Sequence, residues 1–170
     1  MRTGSKHWVF IGLGTNLGDR LANLQAAIQS LAPKVYLSAV SPVYKTPPWG
    51  VLDQPDFLNQ VIEAETELYP SELLKFLKQI EKQLGRVASV RYGPRLIDLD
   101  ILLYDELILD MPGLTIPHPQ LEKRAFVLFP LANLAPDLRH PVSGKTMKQL
   151  LDAWLIENDP AGIELFVDNN

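Results

Sequence analysis

Residues 91–104 read RYGPRLIDLDILLY, and the last nine of them complete a recognisable order of elements. The run 96–104 is apolar apart from two aspartates, which predicts a strand. Before it, the periodicity of apolar residues predicts five further elements: a strand at 7–13, a helix at 20–32, a strand at 35–46, a strand at 57–66 and a helix at 70–85. The order β-α-β-β-α-β indicates a ferredoxin-like α+β fold, an antiparallel sheet with helices on one face.

The residues after this core predict a helical extension at the C-terminus. We expect a short strand at 107–109, one or two short helices within 115–137 and a helix at 146–155. Residues 157–170 fit either a strand or a tail. The 170 residues are enough for one domain with a sizeable core, so we expect residues 1–170 to form a single domain.

Composition excludes several classes of protein. The net charge of −4 argues against a general nucleic-acid coat, and the absence of cysteine excludes disulfides and thiolate chemistry. No run of the sequence approaches the roughly 20 apolar residues of a membrane helix, and the N-terminus lacks the pattern of a signal peptide. We therefore expect a cytoplasmic protein, acting on small molecules as a monomer.

The two aspartates within the last core strand are the first sign of chemistry. Asp98 and Asp100 lie two residues apart on a strand, so their carboxylates project from the same face. Like charges this close favour a bound cation, and Mg²⁺ combines one or two carboxylates with substrate phosphates. The alternative is a pair of carboxylates on the solvated face of a half-covered sheet.

Arginines gather beside this pair. Arg86, Arg91 and Arg95 fall within ten residues, Gly93-Pro94 forms a corner among them, and Lys123-Arg124 adds a second basic point. Arginine binds phosphate oxygens through two parallel hydrogen bonds and keeps its charge, so this concentration in an acidic chain suggests a polyphosphate ligand. A solvated basic loop would also explain it.

Other readings of the sequence remain weaker. The glycines of GLGTNLG at 12–18 are spaced G-x-G-x-x-x-G, and no acidic residue follows at the distance a dinucleotide ribose needs, so we interpret them as turn residues. A P-loop is absent, and no RNP-like aromatic pattern supports an RNA-binding module. A two-metal nuclease or nucleotidyltransferase stays open as the chemical runner-up. We read His7 and His140 as surface-loop histidines.

Several motifs together resemble the 6-hydroxymethyl-7,8-dihydropterin pyrophosphokinases of folate biosynthesis. RYGPRLIDLDIL is similar to the signature of that family, and the blocks GLGTNLGD, YKTPPWG, DQPDFLNQVIE and TIPHPQLEKRAFVLFPLANLAPD follow the family's order from about residue 9 to 138. The resemblance implies an enzyme that transfers pyrophosphate from ATP to the pterin hydroxymethyl group with two Mg²⁺ ions, releasing AMP.

The resemblance also implies a role for individual residues. Asp98 and Asp100 would hold the metals, with Arg86 and Arg95 near the triphosphate. The expected nucleotide contacts are Glu81, Arg91, Tyr92, Ile101, Thr115, His118 and Arg124. The expected pterin pocket consists of Thr46, Pro47, Trp49, Phe57, Asn59 and Phe126.

Overall fold

The computed structural model describes residues 4–48, 52–85 and 96–167. Its elements along the chain are β1 (His7–Thr15), α1 (Arg20–Gln29), β2 (Val35–Val40), β3 (Tyr44–Thr46), β4 (Phe57–Thr66), α2 (Pro70–Gln83), β5 (Asp98–Tyr104), β6 (Leu109–Met111), β7 (Leu114–Ile116), α3 (Ala125–Leu134), α4 (Met147–Glu157) and β8 (Glu164–Leu165). The predicted β-α-β-β-α-β core and the helical extension after it are confirmed.

The main sheet has the strand order β5-β1-β4-β3-β8, and β2 also pairs with β4. Each of these pairings is antiparallel. With β2 and β3 counted as one interrupted strand, this is the ferredoxin-like order expected from the sequence. Strands β6 and β7 form a separate two-stranded sheet, so the short strand expected at 107–109 begins later, at Leu109.

The strand expected at 35–46 is divided in two at the proline. Beyond β2 the chain leaves the ladder at Ser41 and Pro42 and resumes pairing as β3. Ser41 keeps contact with β4 across this gap, because its backbone N–H donates to the carbonyl of Val61 and its hydroxyl accepts from the N–H of Val61. Pro42 has no N–H to give to a ladder, which explains the break.

Helices cover both faces of the sheet. A first core cluster joins α1 and α2 to the sheet through residues such as Leu24, Leu77 and Ile11. A second joins α3 and α4 to the opposite face, through residues such as Leu128 and Leu150. The C-terminal extension is therefore a third layer, and it leaves part of its face of the sheet for the polar residues described below.

An irregularity in β5 changes which residues face each layer. The pairing of β1 with β5 passes from Phe10–Leu103 directly to Ile11–Ile101, so Leu102 is an extra residue on β5. Strict alternation would place Leu103 with the first core cluster; the bulge turns it to the second and turns Tyr104 to the first. From Asp98 to Leu102, successive side chains of β5 do alternate between the two faces, and this part of the strand carries the two aspartates.

Capping residues mark the ends of the two core helices. Asp19 accepts a hydrogen bond from the N–H of Ala22 at the start of α1. Pro70 is the first residue of α2, and Gly85 follows its end with φ of +88°, the left-handed conformation that favours glycine. The helix expected at 70–85 therefore ends just before a glycine in the conformation that terminates helices.

Neither histidine is the surface-loop residue that the sequence suggested: His7 is in a strand and His140 is buried. His7 begins β1, and its Nδ1 is 2.6 Å from the carboxylate of Asp105. His140 is buried, and its Nδ1 accepts from the backbone N–H groups of Val142 and Ser143. Within the described ranges, none of the helices is long and apolar enough to cross a membrane.

Candidate active site

A row of residues crosses four strands on the face of the sheet that α3 and α4 partly cover. Asp98 of β5 pairs with Gly14 of β1, Gly14 pairs with Asn59 of β4, and Asn59 pairs with Tyr44 of β3. Residues paired in this way share a face of the sheet. The predicted metal ligand and the predicted pterin ligand therefore lie on one face, separated by a glycine.

Asn59 is held in a defined orientation within this row. It is buried, and its Nδ2 donates to the hydroxyl oxygen of Thr46 at 2.6 Å. Phe57 shares its face, because a side chain built at Gly14 would meet both the Asn59 amide and the Phe57 ring. Thr46, Phe57 and Asn59 thus come together as the sequence predicted. An aromatic ring beside an amide edge suits a flat heterocycle with hydrogen-bonding edges.

Two of the three glycines interpreted as turn residues, Gly12 and Gly14, lie within a strand. Gly12 and Gly14 lie inside β1, opposite Asp100 and Asp98, and only Gly18 has a positive φ, of +66°. A Cβ at Gly14 would lie 2.9 Å from Oδ1 of Asn59, a distance that real Cβ atoms do not tolerate. The interpretation as a turn was wrong for these two positions: both lie in the strand, and at Gly14 the absence of a side chain leaves room for the Asn59 amide.

His118 lies close to the aspartate pair. Its backbone N–H donates to the carbonyl of Leu102, and its Nδ1 accepts from the N–H of Gln120 at 3.1 Å. Burial lowers the pKa of His118 from its ordinary value; the Asp100 carboxylate opposes this, and the Arg124 guanidinium adds to it. Because Nδ1 is an acceptor, the neutral ring carries its hydrogen on Nε2, where it can donate to a ligand.

Arg124 and Phe126 stand beside this histidine at the start of α3. Arg124 is the N-cap residue of α3, and its guanidinium lies 5.4 Å from the centre of the Phe126 ring. A cation–π contact of this kind helps to hold a guanidinium in place. Asp100, His118, Arg124 and Phe126 therefore form a second cluster, adjoining the row that contains Asp98.

Glu81 differs from the expected nucleotide-facing residue. It is 1% exposed, and its Oε1 accepts a hydrogen bond of 2.9 Å from the backbone N–H of Leu99, with Lys78 Nζ at 3.1 Å. Leu99 separates Asp98 from Asp100. The structure thus places Glu81 beneath β5, the strand that carries the two aspartates.

Two of the expected nucleotide contacts, Ile101 and Thr115, lie near the outer edge of β5. Ile101 is buried in the first core cluster together with Leu114 and Ile116, which flank Thr115 on β7. The hydroxyl of Thr115 lies 3.3 Å from Oδ1 of Asp110. Ile101 therefore faces away from the aspartate pair, and these two residues form a group of their own.

Asn16 was not identified from the sequence. It is buried, and its Nδ2 donates to Oε1 of Gln54 and to the carbonyl of Pro55, while Arg20 donates to the carbonyl of Asp56. These bonds hold the segment that leads into Phe57. The signal was present as the Asn of GLGTNLGD, a polar residue placed directly after a buried strand.

Five predicted site residues, Trp49, Arg86, Arg91, Tyr92 and Arg95, lie outside the described residues. Pro47 is described and exposed, at the end of β3. Their parts in the site remain predictions from the sequence.

Asp98 and Asp100 provide the donor set that a hard divalent cation requires. Both side chains are half-buried. Their neighbours on β1 are Gly14 and Gly12, which have no side chains, and a Cβ at Gly12 would lie 3.5 Å from Leu102. Among the described residues, this site included, no group of three or more histidines, aspartates or glutamates could hold a metal. Two carboxylates without further protein ligands suit Mg²⁺, which completes its shell with water and phosphate oxygens.

Comparison with known proteins identifies the family of this chain. Residues 10–136 match the family model for 7,8-dihydro-6-hydroxymethylpterin-pyrophosphokinase. The 2-amino-4-hydroxy-6-hydroxymethyldihydropteridine pyrophosphokinase of Pseudomonas aeruginosa is 48% identical over 151 residues, which cover 88% of this chain and 93% of that protein. The enzyme of the same name from Aquifex aeolicus is 42% identical over 141 residues, covering 83% and 88%.

Solved structures show the same fold at low identity. The crystal structure of Plasmodium falciparum HPPK-DHPS, wild type with STZ-DHP, aligns with a TM-score of 0.75 at 15% identity. The match covers 95% of this chain and 45% of the Plasmodium chain, so this chain spans less than half of that protein.

Together these findings define an enzyme, an ATP-dependent diphosphokinase of the transferase class. The chain belongs to the 7,8-dihydro-6-hydroxymethylpterin-pyrophosphokinase family, whose members act in folate synthesis.

Proposed function

We propose that the chain transfers a pyrophosphoryl group from ATP to 6-hydroxymethyl-7,8-dihydropterin, giving AMP and the pterin diphosphate. In this reaction the pterin hydroxyl oxygen bonds to the β-phosphorus, the bond from that phosphorus to the oxygen of the α-phosphate breaks, and the hydroxyl proton leaves to water. The observation that supports the proposal is the shared face of Asp98 and Asn59 across Gly14. The proposed polyphosphate site at Asp98 and the proposed pterin site at Asn59 would then lie side by side.

The pterin would lie at the β3–β4 end of this row. Asn59, fixed by its bond to Thr46, offers amide groups to the pterin edge, and Phe57 offers its ring to the flat face. Phe126 would close the pocket from α3. Pro47 and Trp49 complete the proposed pocket by resemblance to the family.

The triphosphate would lie over the aspartate end. Asp98 and Asp100 would hold two Mg²⁺ ions, which neutralise charge that develops on the transferring phosphates. His118 would donate from Nε2, and Arg124 would present N–H groups beside it. Arg86, Arg91, Tyr92 and Arg95 are assigned to the phosphates from the sequence resemblance, as Ile101 and Thr115 are to the nucleotide. Glu81, which is buried beneath β5, is left out of this assignment.

In this reaction the protein has to align the pterin hydroxyl with the β-phosphorus and neutralise the charge on the phosphates. Asp98 on β5 and Asn59 on β4 flank β1, so their backbones are separated by two strand spacings, about 10 Å. We further propose that residues 1–170 act as one domain, as a monomer in the cytoplasm, without nucleic-acid partners. Light scattering on the purified chain tests the oligomeric state.

Product analysis tests the reaction itself. The chain is incubated with ATP, Mg²⁺ and 6-hydroxymethyl-7,8-dihydropterin, and the products are measured by mass spectrometry. We expect AMP and a pterin diphosphate in equal amounts. ADP with a pterin monophosphate would mean attack at the γ-phosphorus and would contradict the proposal. An incubation with 6-methyl-7,8-dihydropterin, which lacks the attacking hydroxyl, controls for hydrolysis of ATP by water.

A further inference from the structure

The C-terminal segment, residues 160–167, lies along the outer edge of β3. Strand β8 pairs antiparallel with β3 through Leu165–Tyr44 and Glu164–Lys45, and the backbone N–H of Phe166 donates to the carbonyl of Val43 at 2.8 Å. On its other edge, β3 pairs with β4 through Tyr44–Asn59 and Thr46–Phe57. The three residues of β3 are thus held between the pterin-side strand and the end of the chain.

Two side-chain contacts extend this arrangement. Lys45 Nζ lies 2.7 Å from the Glu164 carboxylate, and that partner raises the pKa of Lys45. Gly162 approaches the residue after β3: a Cβ there would lie 3.1 Å from Cγ of Pro47. Phe166 packs against the first core cluster and anchors the segment beyond the pairing. The segment therefore contacts β3 and its exit from Val43 to Pro47.

The Lys45–Glu164 pair lies on the face of the sheet away from the proposed site. Lys45 pairs with Leu58, a residue of the first core cluster, whereas Thr46 pairs with Phe57. Successive residues of a strand point to opposite faces. An effect of this pair on the pterin must therefore pass through the position of β3 and not through direct contact.

We propose that the C-terminal segment is a positioning element of the pterin pocket: by pairing with β3 it fixes Thr46, and through Thr46 the amide of Asn59. A three-residue strand has few ladder bonds, so a second paired edge restrains it substantially. The aspartate end of the site lies on β5, and strands β1, β4 and β3 separate it from β8. The inference rests on the proposed function, since it assigns the pocket to the pterin.

Charge reversal at the surface pair tests it in the full chain. The variants are Glu164→Lys, Lys45→Glu and the double swap, and Glu65→Lys is the matched control. Glu65 pairs with Lys6 at 3.8 Å at the opposite end of β4 and undergoes the same change of charge. We expect each single variant to raise KM for the pterin about two- to fivefold, the range expected for exposed ion pairs. KM for ATP should stay within twofold, and the double swap should restore the pterin KM.

Amide hydrogen exchange gives a readout independent of catalysis. Backbone groups of alternate residues point to opposite edges of a strand, and Val43 faces β8, so the Lys45 N–H also faces β8 while Tyr44 and Thr46 face β4. In Glu164→Lys the Lys45 amide should exchange faster than in the wild type, with little change at Tyr44. The Glu65→Lys control should leave all three amides unchanged.

The outcomes separate this inference from the function on which it rests. A wild type that forms no pterin diphosphate would overturn the proposed reaction. An active wild type whose single variants keep the pterin KM and the Lys45 exchange rate would overturn only the positioning role. Equal increases in KM for both substrates would also overturn it, because they would show a general loss of structure.

Discussion

Glu81 accepts a hydrogen bond from the backbone N–H of Leu99, the residue between Asp98 and Asp100. This contact joins α2 to β5, a strand at the edge of the main sheet. Edge strands expose unpaired backbone groups, and a buried carboxylate satisfies one of them here. The position of the two aspartates therefore depends on a helix residue that faces into the protein.

Removing this acceptor should cost both stability and turnover. We expect Glu81→Ala to lower the free energy of unfolding by about 1–3 kcal/mol, because it leaves a buried N–H unsatisfied. Glu81→Gln keeps an oxygen for Leu99 and should lose clearly less. Urea unfolding and kcat, measured together, check this. Gln79→Ala, at an exposed position of the same helix, is the control. Equal stability of all three variants would show that the hydrogen bond is energetically unimportant.

The aspartates themselves should matter for catalysis far more than for folding. Asp98→Asn or Asp100→Asn keeps the side-chain shape and removes a charge from the proposed metal site. We expect turnover to fall about a thousandfold, on the order of 4 kcal/mol in the barrier. Thermal unfolding without Mg²⁺ should be nearly unchanged, since the substitution relieves repulsion. Asp152→Asn on the exposed surface of α4 controls for charge alone. Near-normal turnover at saturating Mg²⁺ would contradict the metal role.

Acid should destabilise the protein partly through His140. Burial lowers the pKa of His140 below its ordinary value of 6.5, and the Glu122 carboxylate opposes the shift. The unfolded chain then binds a proton at higher pH than the folded one, so stability is present above pH 6.5 and is lost as the pH falls through the folded pKa. His140→Asn keeps an acceptor near the position of Nδ1 and should reduce the loss of stability between about pH 8 and about pH 5. His118 is shifted in the same direction, so part of the loss should remain. An unchanged slope in His140→Asn would contradict this.

The core elements were predictable because their signals are local. Apolar spacing in α2, the glycine after it and the alternation around Asp98 each follow from a few neighbouring residues. The bulge at Leu102 and the third layer of helices were not predictable, because they depend on how distant segments pack. The short strand β8 is another such case, since its two residues gain their conformation from pairing with β3.

In the site, too, local features were predictable from the sequence and features that depend on distant segments were not. The shared face of Phe57 and Asn59 followed from strand periodicity, whereas the direction of Glu81 did not. A charged residue on a helix is solvent-exposed by default, and only the backbone of β5 packed against α2 makes burial favourable at this position. Asn16 appears in the sequence only as a polar residue after a buried strand, and its role in holding Gln54 and Pro55 depends on a segment distant along the chain.

Gly14 allows the closest test of the pterin end. A Cβ at this position would lie 2.9 Å from Oδ1 of Asn59, so Gly14→Ala must displace that amide and weaken its 2.6 Å bond to Thr46. We expect KM for the pterin to rise about tenfold, the equivalent of one lost hydrogen bond, with a smaller change in KM for ATP. Steady-state kinetics with each substrate varied in turn check this. Gly4→Ala is the control, because its Cβ would meet Glu67 at an ordinary 3.5 Å, far from the site in the strand register. An unchanged pterin KM in Gly14→Ala would contradict the proposed contact between the Asn59 amide and the pterin.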